Sequence, residues 1–184
     1  PVISGCQAQE ARRVVRRTAR SADAPLLEID RDCRIRITRE RGGRFTIDLK
    51  TPRRLYRGLR LSMAGEHQMR NAALAVAAVE SLVDFPAQRA DVRRGLAEVR
   101  WPGRLDEYKA RRRTLLEGAH NPEGAGVLAA YLKMRREQEI HLVFGVMRDK
   151  DYIKMGRLLF PLVKSIHLTP VANLRAADPA SVAA

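Results

Sequence analysis

Cysteine is scarce in this chain: Cys6 and Cys33 are the two present in 184 residues, with no CxxC pair and no Cys/His ligand spacing. A disulfide framework or a thiolate metal site is therefore unsupported, and a reduced, cytoplasmic protein is the simplest expectation. Aromatic residues make up only 5%, which leaves few platforms for stacking bases. Long apolar runs are missing as well. The longest nearly uncharged stretch, residues 71–79, is about half of what a bilayer span needs. No charged segment followed by an apolar one opens the chain in the manner of a signal peptide, so no membrane partner is expected. The pattern GxxxxGK[ST] occurs nowhere, so a phosphate-cradling P-loop and its lysine are not among these residues.

What is present is a globular composition, 45% hydrophobic, enough for one ordinary core or two small ones. Lys and Arg number 35 against 21 Asp and Glu, a formal charge of +14. That balance favours anionic partners: nucleic acid, a lipid surface, or a small molecule bearing phosphate or carboxylate. The arginines are scattered through "RRVVRR", "RRLYRGLR" and "ARRR", and the plain reading is a solvated arginine-rich surface.

Periodicity gives a short strand at residues 2–4, then a helix over residues 7–22 with Ala8, Ala11, Val14 and Val15 on one side. "PLLEI" reads as a second short strand. Three β-rich segments between Arg34 and Arg60, separated by Gly42-Gly43 and Thr51-Pro52, predict a small antiparallel meander. A buried helix is expected over residues 66–83 and an amphipathic one in "QRADVRRGLAEV". From Arg104 the order becomes strand ("LDEYKA"), strand ("RTLLE"), helix (residues 124–136), strand ("EIHLVFG"), helix ("DYIKMGRLLFPLV") and strand ("SIHLTP"). That alternation predicts a mostly parallel sheet with crossover helices. The fold class is α/β, with a boundary at "VRWPGR" that divides residues 1–100 from residues 101–184. The chain starts at Pro1 and stops where "ADPASVAA" begins a further helix, so a fragment of a longer protein is expected.

Three stretches carry candidate chemistry. In "LLEGAHNPEGA", residues 115–125, an apolar strand runs into Glu117, His120 and Asn121. Strand carboxyl ends are where open α/β sheets collect ligands, and Asn121 followed by Pro122 suits a helix start whose free N–H groups point the same way. The plainer reading makes Asn121 a simple cap and His120 a loop residue. In "GEHQMRNAALAVAAVE" the polar His67, Gln68 and Asn71 share the first turn of an otherwise apolar helix. Such a turn either presents itself to a ligand or forms a satisfied capping network. In "WPGRL" a Pro-Gly turn sets Arg104 at the start of the second sheet, and a guanidinium is a good phosphate ligand. Trp101 reads as a core anchor.

Taken in order, "GEHQMRNA", "WPGRL", "LLEGAHNPEGA" and "LVFGVMRDKD" resemble the folylpolyglutamate synthase and dihydrofolate synthase family of Mur-type ATP-dependent ligases. "PVISG" and "TPVANLRAADP" add weaker support, so the resemblance spans essentially the whole chain. It implies transfer of the γ-phosphate of MgATP to a folate carboxylate, followed by attack of L-glutamate on the acyl phosphate. The implied fold is the end of a Mur-type ATP-binding domain, residues 1–100, and an incomplete, Rossmann-like glutamate-binding domain, residues 101–184. The implied cofactors are ATP and Mg²⁺, with the main Mg²⁺ ligands outside these residues. The implied partners are L-glutamate and dihydropteroate or a reduced folate, with a monomer expected.

By the same resemblance, Asn71 is an adenine-side ligand, with His67 and Gln68 in its motif. Arg104 contacts the nucleotide phosphates, Glu117 the ribose or its surroundings, and His120 with Asn121 the incoming glutamate. Arg104 and His120 are the catalytic candidates, and no metal ligand is assigned. Asp149 to Asp151 resemble a family loop and receive no role. The family usually has Asp where this chain has Glu117, one methylene longer. Without a P-loop the 184 residues are expected to be inactive alone. Three alternatives stay open: a cell-wall Mur ligase, a non-catalytic relative, and a nucleic-acid binder using Arg12, Arg13, Arg16, Arg17 and Arg20 on the first helix, the last disfavoured by the few aromatics and interspersed acids.

Overall fold

The computed structural model describes residues 1–109, 111–135 and 139–183. The chain divides into two compact units, Pro1–Trp101 and Pro102–Ala184.

The first unit is organised by alternation in β4 (Arg44–Lys50), where Phe45, Ile47 and Leu49 point into the core and Arg44, Thr46 and Asp48 away from it. β4 is the middle strand of an antiparallel meander with β3 (Arg34–Arg41) and β5 (Leu55–Arg60). The β3–β4 connection is closed by Gly42 and Gly43 at φ of 60° and 77°, as the Gly-Gly signal predicts. Helix α3 (His67–Glu80) supplies Ala72, Ala73, Val76 and Ala77 to the core, and α4 (Arg89–Glu98) adds Val92. The phenol of the fully buried Tyr56 donates to Glu80 Oε1 at 2.9 Å, so the one polar atom of that side chain is satisfied. Beside the meander, β1 (Val2–Ser4) and β2 (Leu26–Glu28) pair in parallel around α1 (Gln9–Ser21). The short helix α2 (Ile29–Asp32) follows without a break.

Three expectations fail in this unit. Val14 is 51% exposed and Ala8 is also exposed, while Ala19 is the residue α1 buries. The inward side of α1 runs through Ala11, Arg12, Val15 and Ala19, because two of its arginines are drawn to a carboxylate below the helix. Helix α3 stops at Glu80, not Val83. The Ser81 hydroxyl donates back to the Ala77 carbonyl at 2.8 Å, and Leu82 and Val83 are left exposed beyond the helix end. Trp101 is 64% exposed, since the chain turns immediately after it, and anchors no core.

In the second unit, β6 (Asp106–Lys109) and β7 (Arg113–Leu116) form an antiparallel pair. Parallel pairing is seen between β8 (His141–Phe144) and β9 (Ser165–Leu168), connected through α6 (Tyr152–Leu159) and a 3-10 turn at Phe160–Leu162. The fold is thus mixed α/β, and the expected parallel ladder is confined to β8–β9 among the described residues. The strand pair that carries "LLEGAHN" is a hairpin because three residues, too few for a crossover, join β6 to β7.

Helix α5 (Pro122–Met134) packs on α6 and buries Ala125, Leu128, Ala129 and Tyr131. α5 ends at Met134 with Arg135 already outside the helix, short of the expected end, while residue 136 and the expected last residue of β6, residue 110, lie outside the described residues. Phe144 and Phe160 meet edge to face with centroids 5.6 Å apart. Gly145, just past β8, lies where a Cβ would meet the Thr169 carbonyl oxygen at 2.9 Å, so the two parallel strands leave the sheet in close backbone contact. A final short helix, α7 (Pro179–Ala183), occupies the end of the unit.

Candidate functional site

The first group of candidate residues lies in the opening turn of α3. Asn71 Nδ2 donates to Gln68 Oε1 at 3.1 Å, and Gln68 Nε2 lies 2.8 Å from His67 Nε2. Because the Gln68 amide nitrogen can only donate, His67 accepts at Nε2 and carries its ring proton on Nδ1. Gln68 is buried at 7% exposure, and Asn71 is exposed at the outer end of the chain of bonds. Sequence spacing brought these three to one turn; the structure links them in the order Asn71, Gln68, His67. Glu66 makes no side-chain cap on this helix.

The second group is gathered by the β6–β7 hairpin, which brings the start of β6 beside the end of β7. Gly103 at φ 72° and Leu105 at φ 45° bend the chain around Arg104. The turn is then held from the other strand: Gly118 N–H donates to the Gly103 carbonyl at 2.8 Å, and Leu105 N–H donates to Glu117 Oε2 at 2.8 Å. The second Glu117 oxygen faces Arg104 Nη1 at 3.6 Å. Leu105 is only 2% exposed, so its buried side chain helps fix a left-handed backbone conformation that a bulky residue rarely adopts. Arg104, in contrast, keeps 44% of its side chain exposed. An acid and an arginine read as two separate ligands are in fact each other's neighbours.

His120 and Asn121 follow. His120 is exposed and its Nδ1 donates to the Gly118 carbonyl at 3.0 Å, so that in the neutral ring Nε2 carries the lone pair. Asn121 adopts extended backbone angles and its Oδ1 accepts from Gly124 N–H at 2.8 Å, with Pro122 in the first helical position. The cap read from the sequence is therefore formed. A Cβ on Gly124 would approach Ala119 Cβ at 3.1 Å and Asn121 Oδ1 at 3.2 Å, so this helix start is tightly closed. Asn121→Ala is expected to lower stability by about 1 kcal/mol, and Asn121→Asp to retain most of it, measured by urea unfolding of both variants.

The loop at Asp149 to Asp151 is held by its own lysines. Asp151 caps α6 through Lys154 N–H at 3.2 Å and pairs with Lys154 Nζ at 2.8 Å, and Asp149 pairs with Lys150 at 3.1 Å. Lysine contacts hold both carboxyls below the usual range, through hydrogen bonds to Lys154 and Lys150 respectively. The Leu105 and Gly118 contacts were not anticipated from sequence; the Pro-Gly pair marked the turn but not its partner strand. Both cysteines are free thiols, and burial pushes the Cys33 thiol up. Among the described residues no helix is long and apolar enough to cross a membrane.

No family model matches the chain. The chain is 33% identical over 171 residues to the dihydrofolate synthase/folylpolyglutamate synthase of Bacillus subtilis, covering 91% of this chain and 40% of that protein. It is 29% identical to the folylpolyglutamate synthase of Lacticaseibacillus casei, covering 97% of this chain and 42% of that protein. Its backbone overlays the Mycobacterium tuberculosis folylpolyglutamate synthase complexed with ADP at a TM-score of 0.87 and 29% identity, over 98% of this chain and 41% of the other. Over nearly its whole length the chain matches the folylpolyglutamate synthase/dihydrofolate synthase family. A family member bound to AMPPCP and folate overlays it at a TM-score of 0.86 and 28% identity, over 97% of this chain and 44% of the other. The chain thus spans about two-fifths of the length of the family members it matches.

Proposed function

We propose that this chain is part of an ATP-dependent ligase that joins L-glutamate to dihydropteroate or a reduced folate. In that reaction the γ-phosphate moves from ATP to the folate carboxylate and ADP leaves. The glutamate amine attacks the acyl carbon, and inorganic phosphate and a proton leave as the amide forms. The observation that carries this reading is the backbone agreement, over nearly the whole chain, with family members that hold ADP or AMPPCP and folate.

In this reading the first unit is part of the ATP-binding domain and the second part of the glutamate-binding domain. Asn71 is the adenine-side ligand, oriented by Gln68 and through it by His67. Arg104 meets the nucleotide phosphates from a turn that cannot easily deform, and Glu117 fixes that turn at the ribose side. His120 offers Nε2 to the glutamate amine, and Asn121 holds the helix start beside it. Positioning and charge stabilisation supply most of the catalysis in such a scheme. Among the described residues no group of three or more His, Cys, Asp or Glu could hold a metal. No step here is routed through Mg²⁺, whose main ligands are expected from the rest of the ligase. A monomer working in the cytoplasm goes with this reading.

A complete ligase containing this chain is expected to release ADP only when a folate and L-glutamate are both supplied, and the purified 184 residues alone to release none. Folate- and glutamate-dependent ADP release from the 184 residues by themselves would overturn the fragment reading. Turnover of a cell-wall precursor in place of a folate would overturn the substrate assignment.

A further inference from the structure

The solvent face of the meander carries a second concentration of positive charge that the ligase reading does not use. Strand register sets Arg39 opposite Thr46 and Thr46 opposite Arg60, one rung across three strands. Arg41 lies directly opposite Arg44 on the adjoining rung of the same face. These four arginines and Thr46, with Phe45 in the wall, line a groove of 540 Å³ within the first unit. All four arginines are exposed.

Like charges directly opposite across a sheet are destabilising, and this face does nothing internally to relieve them. Among the described residues none of the four pairs with a carboxylate. The nearest acid in sequence, Glu40, is turned to the Gly43 N–H at 2.8 Å. The contrast lies farther along the same face, where Arg36 is paired with Asp48. Acid therefore stops where the groove starts. Arg44 is also pre-set, because its Nε donates to the Ser62 carbonyl at 3.0 Å and holds the guanidinium in place.

The groove also restricts its occupant. Its volume falls in the range of small-molecule sites, about 300–1,000 Å³. Phe45 is the aromatic in its wall and is 4% exposed, so it offers no face on which a base could stack. Guanidinium groups on neighbouring rungs suit several anionic groups spaced along one flexible chain, since each can be met by its own fork of N–H donors. We propose that this groove is an anion site for a short linear polyanion, a chain of carboxylates or of phosphates without a ring. The assignment is independent of the ligase reading, because it uses neither the Asn71 turn nor the Arg104 turn.

The test is calorimetric titration of the 184-residue chain, without nucleotide, with γ-linked pentaglutamate and separately with inorganic tripolyphosphate. Saturable one-to-one binding of at least one probe is expected, and whichever binds more tightly identifies the carboxylate or the phosphate source. Arg39→Gln/Arg60→Gln is expected to weaken it roughly tenfold or more, as loss of charged hydrogen bonds does. Arg13→Gln/Arg17→Gln removes the same charge from the exposed side of α1 and is expected to leave it unchanged. Arg41→Gln, which breaks the like-charge pair, is a second groove variant and is expected to weaken binding without lowering Tm. Equal losses in the groove and α1 variants, unchanged affinity in both groove variants, or no saturable binding of either probe would overturn the proposal. So would tighter, steeply salt-dependent binding of duplex DNA that depends on the α1 arginines. No turnover is measured, so the ligase reading stands or falls separately.

Discussion

Glu28→Gln is expected to destabilise the chain by on the order of 2–4 kcal/mol, measured by urea unfolding followed by far-UV circular dichroism. Glu28 is 3% exposed at the end of β2, and its carboxylate is the meeting point of three arginines. Arg16 contacts both of its oxygens, at 3.1 and 2.9 Å from Nε, Arg12 approaches at 3.4 Å, and Arg31 at 3.1 Å. The backbone N–H of Glu28 is taken by Asp32, which in turn holds Arg31. Removing the charge leaves the arginines of α1 and α2 facing one another over a neutral amide. The arginines keep 29% to 53% of their side chains in solvent, which limits the penalty to less than that of a fully enclosed pair.

The same cluster sets a pH dependence. The hydrogen bond from Arg16 holds the Glu28 carboxyl below the usual range against the opposing effect of burial, with Arg12 and Arg31 assisting. Asp32 is lowered first by its hydrogen bond to Arg31. Both folded values lie below the unfolded ones, so their contribution is fully present above the unfolded carboxylate values, about 4. It is lost as pH falls through the folded values. Stability of the parent chain should therefore decline in acid below about pH 4, and Glu28→Gln should decline less steeply because Glu28 no longer contributes, while Asp32 and the lysine-paired Asp149 and Asp151 still titrate. An identical acid slope in the two proteins would remove Glu28 from this role.

Local chemistry was legible in the sequence, and contacts between distant segments were not. The Asn121-Pro122 cap, the Gly42-Gly43 hairpin and the polar first turn of α3 are each decided by residues within a few positions, and each forms. The family was legible for the same reason: its signatures are short stretches at these local features. Arg12 and Arg16 looked like part of a solvated basic helix because their acid lies beyond the helix, on another strand. With Arg12 and Arg16 reaching Glu28 on that side, Val14 faces water. The hairpin partner of "WPGRL" was hidden likewise. Strand alternation with helices suggested parallel neighbours, whereas β6 and β7 are joined too closely to pair in any way but antiparallel. Leu105 could not be read at all, since nothing in its side chain advertises a positive φ.

Arg104→Ala, made in a complete ligase containing this chain, is expected to cut kcat/KM for ATP-dependent ligation by roughly tenfold to a thousandfold. The backbone around it is held by the Gly103–Gly118 and Leu105–Glu117 hydrogen bonds, so the truncation should remove a charge without moving the turn. The side chain is substantially exposed, and Tm should barely change. Arg104→Lys retains the charge but loses the planar fork and should fall between the two. Glu117→Gln keeps an acceptor for Leu105 N–H and removes the carboxylate that faces Arg104, so a smaller loss is expected. The double variant Arg104→Ala/Glu117→Gln then separates two roles. A double loss no larger than that of Arg104→Ala alone means Glu117 acts only by positioning the guanidinium, whereas additive losses mean it makes a ligand contact of its own. Unchanged kinetics in Arg104→Ala would take Arg104 out of the site, because the hairpin latch would then be holding an arginine that touches nothing in the reaction, and Glu117 would be judged on its own variant.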